Sequence, residues 1–455
     1  MSAILLTVFV LGYLAIALEH NIHVDKAASA LLTGTICWAL FVLGYPEAPA
    51  HLSEAYQAFM HEHDGNGLLS VFYEHRLFHH MEEISSILFF LLGAMTIVEL
   101  VDANEGFRVI TDKIKTNNKV KLLWIICIIT FFFSAVLDNL TTSIVMISLL
   151  RKLISDKETR WIFAGMVIIS ANAGGAWSPI GDVTTTMLWI GGQLTTPVIV
   201  VNLIIPSIVA MLVPLGIMSF KLNGEVSRPV LHENTGLANT NIERNIVFIC
   251  GVVGLLFVPF FKTVTHLPPF MGMMLSLGAM WFLTEILHRE KNIEDKSKLS
   301  VVGVLRKIDS ASVLFFLGIL LAVSALQEAG HLLIAAEFLR ASLENIYLID
   351  IAIGLLSSIV DNVPLVAASM GMYDVIALVP GLSDWDSMFV QDGKFWQFLA
   401  YCAGTGGSAL IIGSAAGVAV MGLEKMDFIW YLKKISLIAI AGYLAGAGVY
   451  VLMFA

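Results

Sequence analysis

Apolar residues fill long uninterrupted stretches of this chain, and polar residues collect between them. A stretch of about twenty apolar residues is long enough for a helix that crosses a bilayer. The pattern therefore predicts an all-α polytopic membrane protein. Its ten predicted spans are residues 3–18, 27–45, 84–101, 161–190, 197–220, 245–261, 269–287, 311–329, 395–423 and 435–454.

Two further apolar stretches, 122–150 and 347–371, carry an Asp-Asn pair near the middle. The pairs are Asp138-Asn139 and Asp361-Asn362, and Pro364 follows the second. Because proline lacks a backbone N–H, we expect the helix to break there. A carboxylate at the centre of a bilayer costs about 3 kcal/mol on insertion scales. A chain that places two of them in matching surroundings is predicted to use them.

Loop charges indicate how these two stretches enter the membrane. Basic residues flank 122–150 on both sides, which places both of its ends on the cytoplasmic face. We therefore predict a re-entrant hairpin with Asp138 at its tip. The loop after 347–371 is acidic until Lys394, so that hairpin is predicted to enter from outside. The fold prediction is thus about ten spans plus two hairpins, with both termini outside. The basic residues are Arg108, Lys113, Lys115, Lys119 and Lys121 before the first hairpin, and Arg151, Lys152, Lys157 and Arg160 after it.

Hairpins that enter from opposite faces predict an inverted repeat, and three sequence blocks do recur in one order. We expect N-terminal scaffold helices and an external His- and acid-rich segment in 1–83, repeat 1 in 84–220, a linker with two spans in 221–310 and repeat 2 in 311–455. The matching blocks are 87–93 with 313–318, 133–139 with 356–362, and 172–182 with 404–414.

The third block predicts that spans 161–190 and 395–423 are broken helices. Glycine and proline interrupt a helix and free backbone groups that an ion, a cavity or neighbouring protein must satisfy. Asp182, Thr184 and Thr185 follow the first break, whereas Ser408 and Ser414 occupy the second. The site is predicted to be symmetric in backbone and asymmetric in charge. The interrupting residues are Gly174, Gly175, Pro179 and Gly181 in the first span, and Gly404, Gly406, Gly407, Gly413 and Gly417 in the second.

These residue types suit a small hard cation, because Na⁺ takes several carboxylate, amide, hydroxyl and carbonyl oxygens. A buried aspartate also exchanges a proton for a cation, so a site exposed alternately to each side would act as an antiporter. A structural interpretation stays open for each residue. Asp138, Asp361 and Asp182 would then cap helices, and the hydroxyls would bond their own backbone.

Composition excludes several other classes. The chain is 57% hydrophobic and 14% charged, with a net charge of −10, so it offers no basic face for nucleic acid. The four cysteines stand alone in apolar segments, which makes disulfides and thiolate metal sites unexpected. The amino terminus runs into apolar sequence without a basic region or cleavage site, and we interpret it as the first span.

The Asp-Asn hairpin motifs, the opening Leu18-Glu19-His20 and the block from Asn172 to Thr186 resemble the NhaD-type sodium/proton antiporters of the ion transporter superfamily. The resemblance covers almost the whole chain. It implies a transporter without a cofactor that exchanges Na⁺ or Li⁺ for H⁺ in a bacterial inner membrane and serves pH homeostasis. It also implies a homodimer with a scaffold domain and a moving transport domain. The ion-linked residues it implies are Ser134, Asp138, Asn139, Asn172, Asp182, Thr184, Thr185, Ser357, Asp361, Asn362 and Ser408.

Two other classes stay open. An anion or oxyanion carrier of the same superfamily, of the dicarboxylate or arsenite kind, would share the hairpins and glycine breaks. Two acids at the tips would, however, repel its substrate. An intramembrane aspartyl protease would also use paired aspartates. Neither Asp138 nor Asp361 stands in the Tyr-Asp or Gly-x-Gly-Asp context that such enzymes are expected to show.

The segment from His51 to Glu83 is rich in histidines and acids. Histidines titrate near neutral pH, so a pH-modulating role and a transition-metal site are both alternatives. The default expectation is a solvated amphipathic helix on the outer surface. Glu328, in the matching helix of the second half, is either a proton-path residue or interfacial.

Overall fold

The computed structural model describes residues 2–17, 19–62, 69–111, 114–229, 240–289, 291–292, 299–359 and 361–454. These residues form helices joined by short turns, and within them there is no β-strand. The helices of the first half are α1 Ser2–Ala17, α2 Glu19–Ile22, α3 Lys26–Gly44, α4 Ser53–Glu62, α5 Leu69–Ala103, α6 Arg108–Thr111, α7 Lys119–Leu137, α8 Asn139–Leu153, α9 Lys157–Ala176, α10 Val183–Ile190 and α11 Thr196–Lys221.

The helices of the second half include two short elements that the site uses, the 3₁₀ turn Gly407–Ala409 and the π-helical turn Leu432–Ser436. They are α12 Asn241–Thr265, α13 Pro269–Leu287, α14 Val301–Leu305, α15 Ser310–Glu328, α16 His331–Leu343, α17 Ile346–Leu356, α18 Asn362–Met372, α19 Lys394–Gly406, α20 Ala415–Glu424, α21 Phe428–Tyr431 and α22 Leu437–Phe454.

Eight helices among the described residues are long and apolar enough to cross a membrane. Their length and hydropathy confirm the prediction of an all-α membrane protein. Each of the ten predicted spans also coincides with at least one helix. The eight are Lys26–Gly44, Leu69–Ala103, Lys119–Leu137, Thr196–Lys221, Asn241–Thr265, Pro269–Leu287, Ser310–Glu328 and Phe428–Phe454.

The third predicted span begins fifteen residues earlier than the sequence indicates. α5 runs without a break over 35 residues, and at 1.5 Å per residue it is longer than the hydrocarbon core is thick. His75, His79 and Glu82 therefore belong to this helix. Residues 69–83 are helical, as expected, but they continue into the predicted span without a break.

Both Asp-Asn stretches are interrupted at the acid. Asp138 alone separates α7 from α8, while α17 ends at Leu356 and α18 begins at Asn362. The prediction that Pro364 breaks its helix is wrong. Pro364 lies in the first turn of α18, where its missing N–H would have no helical partner in any case.

The chain divides into two compact units, and unit 1 comprises Met1–Phe89, Asp309–Ile346 and Val363–Val375. In it α3 packs tightly against α15. Gly34 and Gly318 each face the backbone of the other helix, where a Cβ atom would overlap it. The buried core of this unit includes Leu5, Cys37, Trp38, Phe41, Leu52, Phe59, Phe72, Tyr73, Val323, Ala325, Leu326 and Leu332.

Glu328 is buried in unit 1 and paired with two bases from α5. Arg76 donates from Nη2 to Glu328 Oε1 at 2.6 Å and from Nε to both oxygens at 3.0 Å. His80 Nε2 lies 2.7 Å from the same Oε1. Removing one partner of a buried ion pair costs about 3 kcal/mol, so this cluster is a strong constraint within the unit. Glu328 is therefore paired inside the protein and not exposed on its surface.

Unit 2 comprises Phe90–Ile308, Tyr347–Asn362 and Ile376–Ala455. In it α9 packs against α7, α8 and α11, and α11 packs against α22. A second buried glutamate, Glu424, is paired with Arg151 Nε at 2.8 Å and Arg160 Nε at 2.7 Å. Arg151 lies near the end of α8 and Arg160 near the start of α9, so the two pairs tie both helices to the end of α20.

Candidate functional site

The turn between α7 and α8 consists of one residue in an unusual conformation. Asp138 has φ 83° and ψ 161°, a region that is nearly confined to glycine. Its carboxylate caps α8, because Oδ1 accepts from the Thr141 N–H at 2.7 Å and Oδ2 accepts from the Thr141 hydroxyl at 2.8 Å. The predicted capping role of Asp138 is therefore real. The cap also fixes the next residue, Asn139, at the first position of α8.

The break in the first predicted broken helix lies between Ala176 and Val183. Gly174 and Gly175 stay helical, so the expectation that they interrupt the helix is wrong. They allow close packing instead: a Cβ atom on Gly174 would overlap the Phe131 carbonyl, and one on Gly175 would overlap that of Gly181. A glycine in a helix costs only about 1 kcal/mol, which such packing can offset.

Asp182 ends this break and is almost completely buried, with 1% of its surface exposed. It caps α10 as predicted, because Oδ1 accepts from the Thr184 N–H at 2.9 Å and from the Thr184 hydroxyl at 2.7 Å. Its other oxygen, Oδ2, accepts from Asn139 Nδ2 at 2.5 Å. A hydrogen bond to a charged group is worth about 2 kcal/mol, so these donors help to hold a carboxylate there.

Two asparagine side chains connect Asp182 to the second broken helix. Asn139 Nδ2 also donates to Asn172 Oδ1 at 3.1 Å. Asn172 Nδ2 in turn donates to Ser408 Oγ at 2.9 Å and to Ser414 Oγ at 3.0 Å. The tip of α8, the middle of α9 and the break after α19 are thus joined by one buried hydrogen-bond network.

The second break repeats the first in its backbone. Ser414 has φ −147° and ψ 153°, close to the φ −148° and ψ 143° of Asp182, and it caps α20 through the Gly417 N–H at 3.2 Å. The carbonyl of Ser408 accepts from the Tyr431 hydroxyl at 2.8 Å. The predicted difference in charge is therefore placed at equivalent positions of two similar turns.

The predicted hydroxyl residues differ in what they bond. Ser134 donates to the Ala171 carbonyl of α9, whereas Ser357, just after α17, donates at 2.8 Å to the Gly354 carbonyl of that helix and reaches the Ala403 carbonyl of α19 only at 3.5 Å. Thr185 is fully buried, and its hydroxyl has no hydrogen-bond partner among the described residues. A buried hydroxyl without a partner is costly, so Thr185 has an oxygen available for a ligand.

Asp361 and Asn362 lie at the start of α18. Asn362 is buried and Asp361 is half-buried. Asp138 and Asp361 are the two acidic side chains that act on Asp182 electrostatically. Three carboxyls of the predicted set therefore share one neighbourhood. Among the residues that the structure describes, the hydrogen bonds to Asp138 and Asp182 come from threonine and asparagine, none from a basic side chain.

Sequence reasoning missed two parts of this region. Thr141 satisfies both oxygens of Asp138, and its spacing three residues after an acid is a recognisable capping signal. Ser414 binds Asn172, although the sequence indicates it only as the position where an acid is missing. Of the described residues, no three histidine, cysteine or acidic side chains are arranged to hold a metal ion.

Comparison with known proteins places the chain among transporters. The model of the family described as citrate transporter (CitMHS) matches residues 13–391. "Sodium/proton antiporter 1" of Arabidopsis thaliana is 46% identical over 97% of this chain and 71% of its own length, and "Sodium/proton antiporter 2" of the same plant is 43% identical over 97% of both. The "Na(+)/H(+) antiporter NhaD" of Alkalimonas amylolytica is 28% identical over 98% of this chain and 89% of its own.

Proposed function

The chain belongs to the CitMHS family of transporters and, within it, to the sodium/proton antiporters that include NhaD, and from this premise we propose that it exchanges Na⁺ or Li⁺ for H⁺. The observation that carries the proposal is the buried network of Asp182, Asn139, Asn172 and Ser408. It gathers carboxylate, amide and hydroxyl oxygens in a protein of the transporter class.

The proposed ligands of the transported cation are the carboxylates of Asp138, Asp182 and Asp361, which do not surround one point in the described conformation, and the unpartnered hydroxyl of Thr185. Asn139 and Asn172 serve both states of the site, because a carboxamide offers two donors at one end and an acceptor at the other. The Asn139 nitrogen stabilises the Asp182 carboxylate, and the Asn172 nitrogen bonds Ser408 and Ser414. With its oxygen turned inward, either amide becomes a cation ligand. The remaining proposed ligands are Asn362, Thr184, Ser134, Ser357 and Ser408.

One site holds either a proton or a cation and opens to one side at a time. Two re-entrant hairpins, 122–150 and 347–371, and an inverted repeat of 84–220 and 311–455 provide its frame. This is supported by the single-residue turn at Asp138 and by the matched backbones at Asp182 and Ser414. Equivalent glycines add support: a Cβ atom on Gly406 would overlap the Gly354 carbonyl, as one on Gly174 would overlap that of Phe131.

The same reasoning extends to the assembly and its location. A homodimer, with the scaffold helices of 1–83 and the linker 221–310 separate from the two repeats, follows from the family resemblance and is testable by cross-linking in membranes. A bacterial inner membrane and a role in pH homeostasis are supported by the NhaD relatives from bacteria. The two plant relatives show that the family is not confined to bacteria.

An anion carrier is the second candidate, because the matching family model is described as a citrate transporter. Three carboxyls in one neighbourhood oppose it, since like charges repel an anionic substrate. Uptake of labelled citrate and of arsenite into proteoliposomes distinguishes the two. We expect no uptake above that of empty liposomes, and uptake that saturates would reject the cation proposal.

The direct test uses purified protein in liposomes that contain a pH-sensitive dye. We expect Na⁺ or Li⁺, added against a proton gradient, to move protons. Asp138→Asn and Asp361→Asn should each abolish the exchange in folded protein. If the wild type moves no protons, the antiport proposal is wrong, and if both variants stay fully active, the site is wrong.

Asp156 offers a matched control for Asp138. It caps α9 through the N–H of Thr159, three residues later, as Asp138 caps α8 through Thr141. It lies outside the spans, and the hydrogen bonds from Thr159 hold the pKa of its carboxyl below the usual range. Asp156→Asn removes a charged cap without touching the site, so it should leave the exchange rate unchanged.

A further inference from the structure

Asp350, in the middle of α17, is a buried acid that the proposed site does not use. It is 0% exposed, and neither carboxyl oxygen has a hydrogen-bond partner among the described residues. Glu328 and Glu424 are buried to a similar degree, but each is paired with two bases. An unpaired carboxylate in such surroundings costs many kcal/mol, whereas the neutral acid costs far less. The free energy of burying Asp350 therefore depends strongly on whether its carboxyl group is protonated.

The face of α17 that carries Asp350 packs against α19 and α22. Tyr347 and Gly354 stand three residues before and four after Asp350, so the three share a helix face. The Tyr347 ring lies 5.5 Å from that of Phe398, and Gly354 lies against the Cys402 carbonyl and the Tyr443 hydroxyl. The side chains that interact electrostatically with Asp350 are Tyr347, Cys402, Tyr443 and Tyr450.

A row of polar groups leads from this face toward the loop before α19. The Tyr450 ring stacks on Phe398 at 4.8 Å, and its hydroxyl donates to Gln397 Oε1 at 3.2 Å. Gln397 Nε2 donates to the backbone carbonyl of Asp392 at 2.6 Å. Asp392 is half exposed, in the loop that the charge pattern places outside. The row does not include Asp350, because neither of its carboxyl oxygens has a hydrogen-bond partner among the described residues.

We propose that Asp350 is a second protonation site, separate from the cation site, that takes up and releases an exchanged proton. The proposal rests on the proposed antiport. In each cycle the carboxylate gains one proton to form the neutral acid and returns it to water, with no other reactant.

The surroundings of Asp350 suit a proton better than a sodium ion. Na⁺ takes several oxygen ligands. The hydroxyls nearby already donate elsewhere: Tyr443 to the Ile351 carbonyl at 3.0 Å and Tyr450 to Gln397. Asp350 is also mechanically close to the site, since Cys402 precedes the break after α19 by one helical turn. A change of charge at Asp350 therefore acts on α19, the helix that leads into the turn with Ser408.

The test compares two exchange reactions in proteoliposomes. Na⁺/H⁺ exchange needs a proton carrier, whereas exchange of labelled for unlabelled Na⁺ needs only the cation site. Asn in Asp350→Asn has the shape of the neutral acid, but it cannot gain or release a proton. We expect the ratio of Na⁺/H⁺ to Na⁺/Na⁺ exchange to fall about tenfold or more, with Na⁺/Na⁺ exchange retained.

Two further variants keep the test decisive. Tyr450→Phe keeps the stacking on Phe398 and removes a hydroxyl that bonds Gln397 and not Asp350, so it should leave the ratio unchanged. Tyr401→Phe is the control, because that hydroxyl donates to the Tyr443 carbonyl outside the row and its loss should not change the ratio.

An unchanged ratio in Asp350→Asn overturns the proposal and makes Asp350 a structural acid. Loss of both reactions in folded Asp350→Asn overturns it too, because the residue would then serve the cation cycle. Failure of the wild type to move protons with Na⁺ has a different signature and rejects the antiport itself.

Discussion

The turn after α9 and the turn after α19 have nearly the same backbone and different chemistry. Asp182 and Ser414 share φ and ψ within about 10°, and each caps the helix that follows. Gly175 and Gly407 approach the carbonyls of Gly181 and Gly413 in the same way. Only the first turn carries a carboxylate. The comparison shows that the backbone geometry of a helix break and the presence of a carboxylate in it are separable properties.

The largest expected effect on the exchange rate follows from removing the carboxylate of the first turn. Asp182→Asn should lower Na⁺/H⁺ exchange about a hundredfold, because losing a charged partner in a buried site costs about 3 kcal/mol. Ser414→Ala should cost much less, since Asn172 keeps its bond to Ser408. Initial rates in proteoliposomes measure both. Equal losses in the two variants would mean that the turns are functionally alike.

Because the two turns have similar backbones, equivalent glycine substitutions in them should reduce stability equally. Gly174→Ala and Gly406→Ala each place a Cβ atom into a neighbouring carbonyl, of Phe131 and Gly354 respectively. Both should be destabilised by about 3 kcal/mol, the upper range for overpacking. Thermal unfolding in detergent measures this, and Gly422→Ala in α20, where a Cβ atom meets nothing, is the control. A large effect in one half alone would contradict the likeness of the two turns.

Ser414→Asp gives the second turn the charge it lacks. A further carboxylate beside Asn172 should tighten Na⁺ binding about tenfold, equivalent to about 1.4 kcal/mol. Titration of the transport rate with Na⁺ gives the apparent affinity. Ser414→Asn has similar size without charge and should show no such gain. An unchanged affinity in Ser414→Asp would place Ser414 outside the reach of the cation.

The smallest expected effect is on the stability of a variant at a surface cap, Asp156→Asn. Because the folded-state pKa of Asp156 is lowered, its carboxylate adds stability above the unfolded-state pKa, and this is lost as pH falls through the folded-state value. Asp156→Asn should therefore reduce stability slightly at neutral pH and not at acidic pH. Unfolding temperatures measured across that pH range test it, and a pH-independent difference would contradict the assignment.

Much of the fold was predictable because the bilayer leaves few options to an apolar chain. Ten spans coincide with helices, and the acids at Asp138 and Asp361 mark interruptions since a charge cannot lie in a continuous apolar helix without a reason. The start of α5 at Leu69 was not predictable, because hydropathy detects the lipid-facing part of a helix and not its polar extension. The predicted helix break at Pro364 was wrong because proline is tolerated in the first turn of a helix.

The sequence predicted those site residues that stand in local motifs, but not the contacts between distant parts of the chain. Asp138, Asn139, Asn172 and Asp182 stand in repeated blocks, whereas the bonds from Asn172 to Ser408 and Ser414 join residues more than 230 positions apart. No local pattern contains such a pairing. The sequence did not single out Asp350, because one acid near the start of an apolar stretch resembles a residue at the membrane interface. Its burial is visible only in the structure.

The conformation of Asp138 also bears on how this protein changes over generations. Glycine would fit φ 83° and ψ 161° without strain, while a residue with a side chain there costs about 1–3 kcal/mol. Selection for stability alone therefore favours glycine at this position, and selection for transport opposes it. In a gene copy released from transport, we expect this aspartate to be among the first residues lost.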